Sequence, residues 1–315
     1  MKNKFLIPII IGSILLVAGG VVLAVGIKNY EDTPMQSKTI ELNAETFNNF
    51  SFNMSTSDVE FKVSADGSKK VVLSELNKEY HEVKVENNTL YIKQIEELSW
   101  KDRTFNFHFK NLKAEVYLPS GEYGEVTAVT STGDVRLPKD FTFSKFTVTG
   151  STADIYCSSN VTDEINIVLS TGDITLSDMN CGSYTSKTST GDVIMNKVNV
   201  AGNVSLESTT GEVTLKQVSC AELSQKSSTG DVELKNTVIA GHLKLETSTG
   251  DIEFIDSDAN TINIKTTTGD VEGTLLSSKV FYVVTDTGDV DVPHSTTGGL
   301  CEITTDTGDV ELKIK

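Results

Sequence analysis

Positive charge is scarce in this chain. Its 315 residues hold 27 Lys and Arg against 44 Asp and Glu, a formal charge of -17, and the arginines are Arg103 and Arg136 alone. Without Lys2, Lys4 and Lys28 the remainder stands at -20. A nucleic-acid binder needs a basic stripe to neutralise phosphates, so that class is excluded. Proline is rare, at 5 against 23 Gly, and the single Trp is Trp100. One long apolar run, residues 5–27, has no second, which excludes a multi-span transporter. Disorder is excluded by a 38% hydrophobic content placed periodically.

What is present begins with that run. A helix of its length, at ~1.5 Å per residue, spans a ~30 Å hydrocarbon core with some tilt. Lys2 and Lys4 precede it, and Lys28 is soon followed by Glu31 and Asp32. The positive-inside bias puts residues 1–4 in the cytoplasm and the chain after residue 27 outside. Ala24 and Gly26 would suit signal-peptide cleavage, but such peptides have apolar regions of ~7–15 residues. The expectation is an uncleaved signal anchor, single-pass in the cell membrane, then a polar linker at residues 28–38.

The dominant signal is a repeat. Variants of S-T-G-D-V place glycine at 133, 172, 191, 211, 230, 250, 269, 288 and 308, with Ala153 in the same role. The spacing is always 19 or 20 residues. Ten copies at this period predict a solenoid. Two and four residues after the glycine the chain is apolar, as at Val213 and Leu215, and so it is seven before, as at Val204. Alternation with period two is a half-buried strand. The change of parity at Thr-Gly-Asp requires a bend, which Gly makes at no steric cost. Ala153 should bring ~1 kcal/mol of strain or a different corner. A narrow position ten before the glycine, as at Cys181 and Ala201, predicts a second inward corner.

The predicted fold is all-β: a single-stranded parallel β-solenoid of about ten 19–20-residue coils over residues 126–315. Coils ~4.8 Å apart make a rod of roughly 50 Å. Four before the glycine, Lys187, Glu207, Lys226, Glu246 and Lys265 alternate in sign, as in-register stacking favours. Residues 39–125 keep strand chemistry but mostly lose the period, and predict an N-terminal β cap. Within them residues 50–61 match the inward pattern with Ser57 for Gly, Asn87-Asn88 predicts a hairpin turn, and Phe105, Phe107 and Phe109 predict another strand. Lys313 and Lys315 are expected to guard the open C-terminal edge.

With its serial S-T-G-D-V/I motifs, and Tyr117-Leu118-Pro119 just before them, the sequence resembles the bacterial "putative adhesin" family of repeat surface proteins, a domain of unknown function that includes LiaG-like proteins. The resemblance covers about residues 40–315. It implies an extracellular β-solenoid linked to cell-envelope stress, and it carries over no catalytic residue.

The candidate site residues are acidic. Stacking aligns Asp134, Asp154, Asp173, Asp192, Glu212, Asp231, Asp251, Asp270, Asp289 and Asp309 along one edge. Two charges ~4.8 Å apart repel by ~0.9 kcal/mol even in water. Hydrogen bonds at the corner would offset this locally; the functional alternative is Ca²⁺ bridging successive coils. Glu233, Glu253, Glu272, Asp291 and Glu311 extend the edge into a stripe suited to solvation or to a cationic partner. The corner threonines are expected to pack inward, and the Ser/Thr two before the glycine to form an outward column that Asp286 and Asp306 interrupt.

Cys157, Cys181, Cys220 and Cys301 are expected as free buried thiols. Cys181 and Cys220 lie two coils apart, ~9.6 Å, beyond the ~7 Å limit for a disulfide. β-Helices host polysaccharide lyases and glycosidases, but these carboxylates recur in every coil, whereas an active site departs from its repeat. His81, His108, His242 and His294 share no phase and are expected as surface residues. The loop around Trp100 is a candidate contact loop. The functional expectation is a non-catalytic, membrane-anchored adhesion or binding scaffold without a resident cofactor. Its partner would be an envelope polymer or a membrane or surface protein. A regulatory or sensor partner in envelope-stress responses is the alternative, and a polysaccharide-acting enzyme the remoter one.

Overall fold

A computed structural model describes residues 34–98 and 112–315. The expected membrane segment 5–27, Trp100, Arg103, His108 and the Phe105–Phe107–Phe109 strand lie outside them. Among the described residues no helix is long and apolar enough to cross a membrane, and every regular element is a strand.

The parallel solenoid of about ten turns is present, with adjacent coils in register. Val135, Ile155, Ile174, Val193, Val213, Val232, Ile252 and Val271 are successive Cα partners, and none is more than 1% exposed. Each such side chain contributes ~1.5–3 kcal/mol by leaving water. Similar columns of Leu, Ile and Val fill the interior from one end to the other.

Each coil has three short sides; its glycine corner is as expected, and the remaining corners differ in part. At the first corner, the glycines from Gly172 to Gly308 hold φ between +130° and +154°. A Cβ there would also strike the carbonyl oxygen of the neighbouring coil's corner residue. Ala153 avoids the strain because its φ is not positive; that corner has a different local shape. The second corner falls six residues after the glycine, and the corner ten before the next glycine is the third. Asp178, Lys197, Gln217, Asn236 and Asp256 take left-handed φ of +49° to +54° there, a conformation that Asn and Asp tolerate best. The position ten before the glycine is buried at Cys181 and Cys220 but exposed at Ala201 and Ala240. The 20-residue coils insert their extra residue at this third corner: Cys181 to Tyr184 is matched by Val200 to Val204. Lastly, the corner threonines face out, from Thr132 to Thr307. Their backbones bridge from coil to coil, as between Thr190 and Thr210. The inward hydroxyls lie three before the glycine, at Thr188, Ser227 and Thr247.

The last two coils exchange places. Val310 pairs with Val271 on one side and Val290 on the other. Cys301 likewise pairs with Ile262 and Phe281. The spatial order is therefore Gly250, Gly269, Gly308, Gly288, with the C-terminal coil inserted before the one that precedes it in sequence. Lys313 and Lys315 do not guard the edge: Lys313 is the partner of Thr274 inside the stack. The outermost strand is Lys279–Thr287.

At the other end, among the described residues, seven strands precede the repeats: β1 (Gln36–Glu41), β2 (Asn49–Met54), β3 (Asp58–Val63), β4 (Lys70–Glu75), β5 (Glu79–Glu86), β6 (Thr89–Glu96) and β7 (Lys113–Leu118). β2 and β3 form a coil around Ser57 that stacks on the Gly133 coil. β6 and β7 pair with its far side, in parallel. Beyond them the pairing turns antiparallel, β5 on β6 and β4 on β7, with β1 outside β4. Asn87 and Asn88, at φ +49° and +62°, make the expected hairpin turn. Phe50, Phe61, Phe143 and Tyr123 fill this end with ring contacts of 5.0 to 6.1 Å.

Candidate functional site

Each corner glycine turns the chain so that the next residue starts a strand with its side chain outward. The carboxylate there reaches along the stack. Asp134 Oδ1 accepts the N–H of Asp154 (3.0 Å), Asp154 that of Asp173 (2.9 Å), and Asp173 that of Asp192 (2.9 Å). Asp231, Asp251, Asp270 and Asp309 continue the ladder to Asp251, Asp270, Asp309 and Asp289 at 2.8 to 2.9 Å. Glu212 interrupts it. Its N–H donates to Asp192 Oδ1 (2.8 Å), but its longer side chain passes no bond to Asp231. Asp58 starts the ladder by accepting the Asp134 N–H at 3.0 Å. Burial pushes its carboxyl above the usual range, and the Asp134 N–H opposes this.

One oxygen of each of these aspartates thus already serves the backbone. Among the described residues no three His, Cys, Asp or Glu side chains gather as a metal site, and Ca²⁺ takes 6–8 oxygen ligands.

Two residues along the same side, the second column is also in register. Glu233 is paired with Glu253, Glu253 with Glu272, Glu272 with Glu311, and Glu311 with Asp291. Lys216 lies 3.6 Å from Glu233, and Lys313 2.5 Å from Glu311. Glu253, Glu272 and Asp291 are exposed and form no ion pair among the described residues. Like charges directly opposite destabilise a sheet, so this face is a concentrated negative surface. The alternating column on another side pairs more sparsely than expected: Lys187 meets Glu207 at 3.0 Å and Lys226 meets Glu246 at 3.7 Å.

His81 is not a surface residue. It is 1% exposed, with Nε2 2.8 Å from Ser57 Oγ and Nδ1 3.2 Å from Glu75 Oε1. Burial pushes its pKa down, against the carboxylate of Glu75. These distances match a nucleophile–base–acid triad, but Ser57 is also only 1% exposed. Its N–H, with those of Ser55 and Thr56, is bound to Gln94 Oε1 at 2.9 to 3.0 Å. Buried and with these donors occupied, the three groups fasten the corner where Ser57 stands in place of glycine. Sequence order gave no sign of them, because β4 and β5 reach Ser57 only through the antiparallel end.

Lys279 was also missed. Its Nζ lies 2.6 Å from Asp258 Oδ1 and 2.6 Å from Ser277 Oγ, at the base of a groove of about 560 Å³ lined by residues such as Ala240, Asn260 and Gly298. The signal was available: the same position is Gly or Ala in six other coils (Gly124, Gly182, Gly202, Ala221, Gly241 and Gly299). The four cysteines are free and buried, their thiols pushed up to about 12 by burial.

No curated protein matches this sequence. Among solved structures, a "putative adhesin" from Parabacteroides distasonis is similar at 12% identity, over 90% of this chain and 98% of that one, with a TM-score of 0.53. A "putative lipid binding protein" from the same organism gives 13%, 90%, 98% and 0.48. A "putative adhesin" from Bacteroides fragilis gives 13%, 88%, 97% and 0.43. The likeness to the first is one of fold. The family model described as Toastrack DUF4097 matches residues 47–258 and 240–315, and the chain belongs to that family.

Proposed function

We propose that this protein is a non-catalytic adhesion or binding scaffold of the cell envelope, held at the membrane by residues 5–27, with residues 39–125 capping an extracellular rod. Its ligand is a cationic group on an envelope polymer or on a membrane or surface protein. One observation carries this reading: Glu233, Glu253, Glu272, Glu311 and Asp291 stand in register beside the aspartate ladder, and three of them form no ion pair among the described residues. A basic ligand lying along the rod would relieve that repulsion at many points, and the low-dielectric wall would focus its field. The name of the Parabacteroides distasonis structure that shares the fold, "putative adhesin", agrees with a surface-binding role. Deletion of residues 126–315 from the chain in cells should abolish attachment to cells or wall while the remainder stays membrane-bound. Undiminished attachment would reject the proposal.

A further inference from the structure

We propose that the distal tip of the rod is a self-association surface. Two copies join through the edge of strand Lys279–Thr287, antiparallel, about a two-fold axis at Tyr282. The inference is independent of the acidic face and of its ligand.

The exchange of the last two coils makes this strand the end of its sheet. It pairs with Gly299–Thr307 on one side and, among the described residues, with no strand on the other. A bare edge is a template for another strand, and proteins ordinarily blunt it with charge, proline or a cover. The opposite end of the rod is blunted: β1 carries Lys38 and Glu41, and β5 carries Glu82, Lys84 and Glu86. The distal edge has no charge from Val280 to Thr285. Lys279 is turned inward onto Asp258, its side chain 2% exposed.

The outward side chains change in the same place. Six residues before the corner, all nine other coils carry Thr, Ser, Asn, Lys or Glu, whereas this coil carries Tyr282, which is 59% exposed. Five of the eleven large apolar side chains exposed among the described residues fall between 276 and 300.

An isologous contact requires a self-complementary surface, and residues 280–284 provide one. In antiparallel register about Tyr282, Val280 meets the second copy's Val284, Phe281 meets its Val283, and the two Tyr282 rings are neighbours. Asp286 falls opposite Ser278, so no two carboxylates meet across the edge. Because the axis is perpendicular to the sheet, inward residues stay inward and the second copy covers the half-open core at Phe281 and Val283. Head-to-tail stacking would instead set this apolar strand against the charged strands of the N-terminal end.

The test is disulfide trapping of the full chain in detergent under a mild oxidant. Tyr282→Cys puts like residues opposite one another at ~4.5–5.5 Å between Cα atoms, within disulfide reach. The four native thiols are buried and leave the background low. Tyr282→Cys should give a covalent dimer at least tenfold more efficiently than Ile194→Cys, an exposed strand residue in mid-rod. Adding Val284→Lys should abolish that excess. Trapping no better than Ile194→Cys, trapping indifferent to Val284→Lys, or a ladder of products larger than a dimer would each overturn the proposal.

Discussion

Lys279 Nζ sits 2.6 Å from Asp258 Oδ1 across an intervening coil. Lys279 begins the outermost strand, its Cα partner Gly299 belongs to the inserted C-terminal coil, and Asp258 lies in the coil beneath. A side chain larger than hydrogen at Gly299 would strike the Asn260 carbonyl. The ion pair clamps the exchanged coils, and Lys315, 2.6 Å from Asp256 Oδ2, fastens the chain's end nearby. Removing one partner of a buried pair costs about 3–5 kcal/mol. Asp258→Ala should cost about that much in urea unfolding and speed hydrogen exchange at residues 299–314 before the rest of the rod. Replacing both partners with apolar residues should recover much of the loss.

The exchange also marks where the sequence stops being informative. The repeat states which position faces in, and that was legible from Val213, Leu215 and Val204. It does not state which coil lies beside which. Every column survives if two coils trade places, because Val271, Val310 and Val290 are equivalent. The inward site of the corner threonines was misjudged for a related reason: parity was carried one residue too far, into the bend. Asp178, Asn236 and Asp256 did hold a signal for the second corner, since Asp and Asn favour left-handed turns. The acidic columns were fully legible, being periodic; the His81 cluster was not, being assembled from strands outside the repeat.

The corner glycines should be intolerant of side chains. Gly211 has φ +142° and its neighbour's carbonyl in the way. Gly211→Ala should cost at least about 2 kcal/mol in equilibrium unfolding, from left-handed strain and the displaced coil. Ala153→Gly should change stability by less than about 1 kcal/mol, by chain entropy alone.

The aspartate ladder works through an acceptor oxygen, not through net charge. Asp192→Asn keeps Oδ1 and should be nearly neutral in thermal melting. Asp192→Ala orphans the Glu212 N–H and should cost about 1–2 kcal/mol. A melting midpoint that is the same in EDTA and in millimolar Ca²⁺ would leave the ladder with this role and no ion.

His81 has a pKa below its ordinary 6.5, with burial the larger cause. The unfolded chain therefore binds the proton more readily, and its contribution to stability is complete above pH 6.5 and lost as pH falls through the folded pKa. The melting midpoint should drop over that range. In His81→Gln the drop should be smaller, and an unchanged pH profile would mean that the imidazole is not held neutral.

The central claim is that the in-register carboxylates bind a cationic ligand. The most direct measurement is the affinity of the full chain for poly-L-lysine, compared between two variants of equal net charge. One is Glu253→Gln, Glu272→Gln, Asp291→Asn; the other neutralises Glu82, Glu86 and Glu122 near the opposite end. The first should weaken binding at least tenfold and flatten its salt dependence, and the second should leave both nearly unchanged. Equal losses in the two variants would show attraction to overall charge alone and would contradict a binding face.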